Sequence, residues 1–174
     1  MSVTDVYLAN NETYAAAPAA TRGPLPLAEP PTRHLAVITC MDARIDVYDM
    51  LGLELGEAHV IRNAGGAVTD DAIRSLVVSQ RELQTREVMV VHHTKCGMLG
   101  LSDDTFKRNI EQATGVRPPW AAEGFEQLEE DVRQSVRRVL ASPFVPYQHS
   151  VRGFVYDVDT RRLHEVQCGG AAHR

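Results

Sequence analysis

Five residues in this sequence have types and spacing that could do chemistry: Cys40, Asp42, Arg44, His93 and Cys96. The first three lie in ITCMDARID, where an apolar run ends in a thiol and a carboxylate and a guanidinium follow two and four positions later. The other two lie in HHTKCG with H-x2-C spacing. Two thiolates and one imidazole are a borderline-soft donor set suited to Zn2+, and three protein ligands leave a fourth position for water. Such a centre lowers the pKa of its water so that hydroxide is available near neutral pH. Two thiolates already cancel the metal's formal charge, so local electrostatics must help it polarise that water. Asp42 stands where it can accept the hydrogen bond of a zinc-bound hydroxide or compete as a fourth ligand, and Arg44 can orient it by bidentate hydrogen bonds. Singly, each group has a plainer reading: a strand-end cysteine is usually a small buried hydrophobe, and an Asp–Arg pair a surface ion pair of little worth.

What would bring the five together is the order of elements. HLAVITC reads as a buried strand, DVYDMLG as a short helix ended by Gly52, and AHVIRNA as a second strand. TDDAIRSLVVSQREL follows as a helix, with Ile73, Leu76 and Val77 apolar and Asp70 and Asp71 in the first turn, where acids suit the helix dipole. REVMVVHH is the third strand. Strands alternating with helices predict an α/β fold with a mainly parallel, right-handed sheet flanked by helices. In such a sheet the C-terminal strand ends converge on the crevice where ligands bind, and Cys40, His93 and Cys96 all fall there. Two more helices are expected, near SDDTFKRNIEQATG and FEQLEEDVRQSVRRVLAS. The second lines Leu128, Val132, Val136, Val139 and Leu140 along one face. VRGFVYDVDTRRLHEVQ then reads as two short strands joined at Asp159 and Thr160.

The N-terminal region is different. Residues 15 to 33 hold five of the nine prolines and cannot be regular helix or central strand throughout. Just before them, VTDVYLANNETYAA has the makings of a short helix that needs an outside surface for Val6, Tyr7 and Leu8. The expected organisation is an N-terminal arm over 1–33 and a single zinc-binding α/β catalytic domain over 34–174.

A chain of 174 residues, 44% hydrophobic, can build one core without staples. A net charge of −5 with no Lys/Arg block gives no footprint for nucleic acid or an anionic membrane surface, and no apolar stretch approaches the roughly 20 residues of a spanning helix. Three cysteines cannot all pair within the chain, and no secretory leader pattern is visible, so the expectation is a cytoplasmic protein with reduced thiols. His92 should face away from His93 on the strand, and Cys168 reads as a non-catalytic thiol. His59 and Tyr48 are the remaining candidates for relaying protons, without a spacing to support either.

CMDAR, RNAG at residues 62 to 65 and HHTKCG together resemble the β-class carbonic anhydrases, and CMDARIDVYDMLG, EAHVIRNAGG and TDDAIRS look like a small actinobacterial-type branch. The resemblance runs over roughly residues 34 to 168. It implies zinc ligands Cys40, His93 and Cys96, with Asp42 and Arg44 as the catalytic dyad. It also implies an obligate dimer or higher homo-oligomer whose N-terminal segments reach across to the partner. Lys95 stands where many relatives carry an acid, Gly66 follows RNAG where other residues are common, and the pocket glutamine of plant-type members has no clear counterpart.

The expected activity is zinc-dependent, reversible hydration of carbon dioxide to bicarbonate and a proton, the work of a carbonate dehydratase with small-molecule substrates. Two alternatives share the ligand set. One is hydrolysis of carbonyl sulfide or carbon disulfide on the same site, and the other a non-catalytic zinc protein in which Asp42 closes the site.

Overall fold

The computed structural model describes residues 2–17 and 28–168. Helix α1 spans Val3–Ala16. The body follows as β1 (Leu35–Cys40), α2 (Val47–Leu51), β2 (Ala58–Asn63), a 3-10 turn (Ala64–Gly66), α3 (Asp70–Arg81) and β3 (Glu87–His93). It continues with α4 (Asp103–Thr114), α5 (Leu128–Ala141), β4 (Val151–Tyr156) and β5 (Leu163–Val166).

The five strands form one sheet in the order β2-β1-β3-β4-β5, with only β5 antiparallel to its neighbour. From β1 the chain goes to one side to make β2, then crosses back to the other side to make β3. The strand order therefore reverses between β1 and β3, the place where open α/β sheets bind their ligands. Cys40 ends β1 and His93 ends β3, so topology alone puts both side chains at this crevice.

The helices start and stop where their end residues dictate. Asp46 caps α2 by accepting from the N–H groups of Tyr48 and Asp49, and Gly52 ends it in a left-handed conformation. Thr69 caps α3 through the Ala72 N–H, with Asp70 and Asp71 in the first turn. One face of the sheet buries Ala36, Ile38, Val88 and Val90 against Leu76 of α3 and Val136 and Val139 of α5. The other buries Val37, Val91, Phe154 and Tyr156 against Ile45 and Val47. Each such side chain removed from water contributes about 1.5–3 kcal/mol, which fixes the strand register and with it the positions of Cys40 and His93.

Helix α1 has the expected length but no buried residue; Val6, Tyr7 and Leu8 are all exposed. Its start is closed by a reciprocal Ser2–Asp5 capping box. Of the proline-rich stretch that follows, residues 18–27 lie outside the described residues, as do the glycines after Cys168. Among the described residues no helix is long and apolar enough to cross a membrane.

Candidate metal centre

Cys40 Sγ, Cys96 Sγ and one ring nitrogen of His93 all lie within 4.8 Å of one another, and all three residues are buried. They come from two adjacent strand ends and the loop after β3. Thr94 pins that loop: its N–H donates to Tyr156 O, and its hydroxyl accepts from the Val158 N–H. His93 Nδ1 lies 2.9 Å from the Thr94 carbonyl, which can only accept, so Nδ1 carries the hydrogen and Nε2 bears a lone pair. Nε2 is buried without any hydrogen-bond partner among the described residues. A buried acceptor left bare is costly, and beside two thiols the partner whose chemistry fits is a metal ion. The donor set, two sulfurs and one nitrogen, fits zinc.

The thiols divide their protons unequally. The Cys96 S–H donates to the Cys40 sulfur and holds the Cys40 pKa well below the usual thiol range, against the opposing effect of burial; the backbone N–H groups of Asp42 and Gly65 add to the lowering. Cys96 is pushed up, first by that hydrogen bond to Cys40 and then by burial. Of the two thiols Cys40 is therefore the readier to lose its proton, as a cation ligand must.

Asp42 sits at the edge of this cluster with Oδ2 3.7 Å from His93 Nε2. Arg44 donates Nε–H to Oδ1 at 2.9 Å and Nη2–H to Oδ2 at 2.6 Å, and its backbone N–H also reaches Oδ1. The Arg44 side chain, then its N–H, hold the Asp42 carboxyl well below the ordinary carboxylate range. Nη2 also donates to the Lys95 carbonyl, tying the loop after β1 to the loop after β3. The Lys95 ammonium pairs with Asp159 on the outside.

All five residues singled out in the sequence therefore meet. Arg62 was not among them, and its role is visible only in three dimensions. Its Nε donates to the Cys40 carbonyl and its Nη2 to the Asp42 carbonyl, at 2.9 and 2.7 Å, bracing the backbone on both sides of Met41. The signal for it was the R of RNAG, one strand over and in register with Thr39. His59 reaches Ser79 Oγ on α3, which in turn touches Thr85, so it forms part of a bracket between β2 and α3.

A mainly parallel sheet with two thiols and an imidazole at its switch point, and an arginine-clamped carboxylate beside them, defines an α/β protein with a donor set that could hold a metal ion. The chain belongs to the carbonic anhydrase family, whose model matches residues 35–163. It is 58% identical over 166 residues to Beta-carbonic anhydrase 1 of Mycobacterium tuberculosis, covering 95% of this chain and 99% of that protein. It is 30% identical over 155 residues to a carbon disulfide hydrolase of Acidithiobacillus thiooxidans, covering 77% of each. Among solved structures, the carbonic anhydrase of Streptococcus mutans superposes with a TM-score of 0.87 at 39% identity, over 96% of this chain and 99% of that one.

Proposed function

We propose that this protein is a carbonate dehydratase: it catalyses the reversible hydration of carbon dioxide with a zinc ion held by Cys40, His93 and Cys96 and with Asp42 and Arg44 as its catalytic dyad. Zinc bound there supplies a Lewis acid that makes water a nucleophile near neutral pH. The observation that carries the reading is the bare, buried Nε2 of His93 between two thiols and an arginine-held carboxylate.

The geometry limits what Asp42 can do. A carboxylate with so low a pKa is a poor proton acceptor near neutrality, so Asp42 orients the reacting water by accepting its hydrogen at Oδ2 rather than removing it. Arg44 holds the carboxylate plane and keeps Oδ2 from turning onto the metal. That clamp supports a working site over one that Asp42 closes permanently. Arg62, through two carbonyls, keeps Cys40 and Asp42 at a fixed spacing.

A second enzymatic reading, hydrolysis of carbonyl sulfide or carbon disulfide, draws support from the relatives that carry the name carbon disulfide hydrolase at about the 30% identity level. Both substrates are linear and weakly polar, and the same nucleophile attacks either. The zinc-loaded protein assayed side by side for carbon dioxide hydration and for sulfide release decides between them. Rapid hydration with little sulfide release supports the first reading, and the reverse overturns it.

The assembly that fits this reading is a homodimer or larger homo-oligomer in the cytoplasm, with residues 1–33 as an arm and the remainder as one catalytic domain. Exposed Val6, Tyr7 and Leu8 on α1 support a partner subunit as the covering surface.

A further inference from the structure

His92 is one of the largest fully buried side chains in the chain, yet it has no place in the mechanism above. Neighbouring residues of a strand face opposite ways, so His93 turns to the metal cluster and His92 to the far side of the sheet. There its Nε2 lies 3.2 Å from the Gly66 carbonyl, which makes Nε2 the donor. Its Nδ1 lies 2.9 Å from Oδ2 of Asp131 on α5, out of line for a well-formed hydrogen bond, and its ring tilts against Phe125.

Gly66 is the link to the cluster. It adopts φ +72°, and a Cβ there would stand 2.9 Å from both the Thr39 carbonyl carbon and the Cys40 nitrogen. The Ala64–Gly66 turn thus lies directly on the peptide that joins Thr39 to the ligand Cys40. We propose that His92 is a positioning residue for the metal centre: it grips the Gly66 carbonyl and so holds this turn against Cys40, setting the surroundings of that ligand's sulfur.

The consequence is electronic as well as mechanical. The Gly65 N–H belongs to the same turn, which packs directly on the Cys40 peptide. Dipoles aimed at a ligand sulfur draw charge from it and leave the metal a stronger Lewis acid, which matters in a site where two thiolates dampen that character. The His92 side chain lies across the sheet from the ligand side chains and acts on Cys40 through the turn.

The inference rests on the zinc reading, and its test separates the two. His92→Gln retains an N–H donor and His92→Leu fills similar space without one. Each variant is loaded with zinc to measure affinity and with cobalt to record the sulfur-to-cobalt charge-transfer band. The expected result is a wild-type band in His92→Gln. In His92→Leu the band shifts, zinc binds about 10-fold more weakly and kcat falls more than KM rises. A role in packing alone would make the two variants alike, so bands displaced equally in both, or a wild-type band and affinity in His92→Leu, overturn the proposal. If His92→Leu does not fold, His92→Phe decides, since it keeps an aromatic ring without a donor: a displaced band with weaker zinc binding supports the proposal, and an unchanged band with unchanged affinity overturns it. A wild-type protein that binds neither metal overturns the zinc reading itself.

Discussion

Asp42 Oδ2 stands 3.7 Å from His93 Nε2 while both oxygens of the same carboxylate are gripped by Arg44. The carboxylate is near enough to reach a metal on that nitrogen, and a bidentate guanidinium holds it back. Such pairs combine charge with fixed geometry, which a lysine cannot reproduce. On the proposed function, whether the site works or is closed depends on which partner Asp42 keeps.

Arg44→Ala should shift that balance. With its clamp gone, Asp42 is free to ligate the metal, and carbon dioxide hydration should fall about 10–100-fold, the usual cost of losing a group that orients a metal site. Zinc content should stay near one per chain, because the three ligands remain. Arg44→Lys should recover little of the rate. Stopped-flow hydration rates alongside metal analysis check this, and an Arg44→Ala enzyme with the parental rate would remove the clamp from the mechanism.

Metal retention should sort the cysteines. Cys96→Ser should lose most of its zinc, since thiolate is the stronger donor, whereas Cys168→Ser should keep both zinc and activity. Cys168 lies away from the cluster, with its S–H donated to the Val166 carbonyl. Metal analysis after gel filtration reads the result directly.

The metal-free protein should hold one thiolate at neutral pH. Cys40 is depressed chiefly by the Cys96 S–H, so Cys96→Ala should raise the Cys40 pKa, and thiolate ultraviolet absorbance should move to higher pH. The sign for stability follows. A depressed folded pKa contributes stability that is present above the unfolded thiol value, about 8.5, and is lost as pH falls through the folded value. Cys96, raised, contributes in the opposite sense: its part is present below the unfolded value and lost as pH rises through the folded one. Thermal unfolding of the chelated protein against pH should lose the Cys40 component in Cys96→Ala.

The elements that carry the site were legible because each has a local cause. The alternation of buried runs with helices gave β1, α2, β2, α3 and β3; Gly52 marks the end of α2, and Asp70 and Asp71 the first turn of α3. Cys40, His93 and Cys96 could be read because strand ends and ligand spacing both pointed to them. Arg62 and the contacts of His92 with Gly66 and Asp131 could not. Their partners are backbone carbonyls and a residue of a distant helix, contacts that depend on strand order and leave no periodic pattern.

Association should depend on α1. Its apolar residues bury nothing among the described residues, so purified protein is expected at no less than twice the 19.2 kDa chain mass. Val6→Asp combined with Leu8→Asp should lower that mass while leaving zinc content intact. Light scattering at micromolar concentration measures it; a wild-type mass of a single chain would contradict the arm's role.

Carbon dioxide and carbonyl sulfide offer the same kind of electrophilic carbon to the same nucleophile, so the five-residue cluster makes both reactions chemically accessible, and the pocket walls must choose. Nothing in Cys40, Asp42, Arg44, His93 or Cys96 demands sulfur, and 58% identity to a β-carbonic anhydrase outweighs 30% to a carbon disulfide hydrolase. Carbon dioxide hydration should be the faster reaction, with sulfide release from carbonyl sulfide secondary. Asp42→Asn should depress both together. The amide keeps the size of the carboxylate but loses its charge and can turn an N–H2 toward the water it should accept from. A cost of about 10–100-fold in both reactions is the expected scale for a group that orients the reacting water. A loss confined to one substrate would mean that Asp42 selects between them rather than serving a shared step.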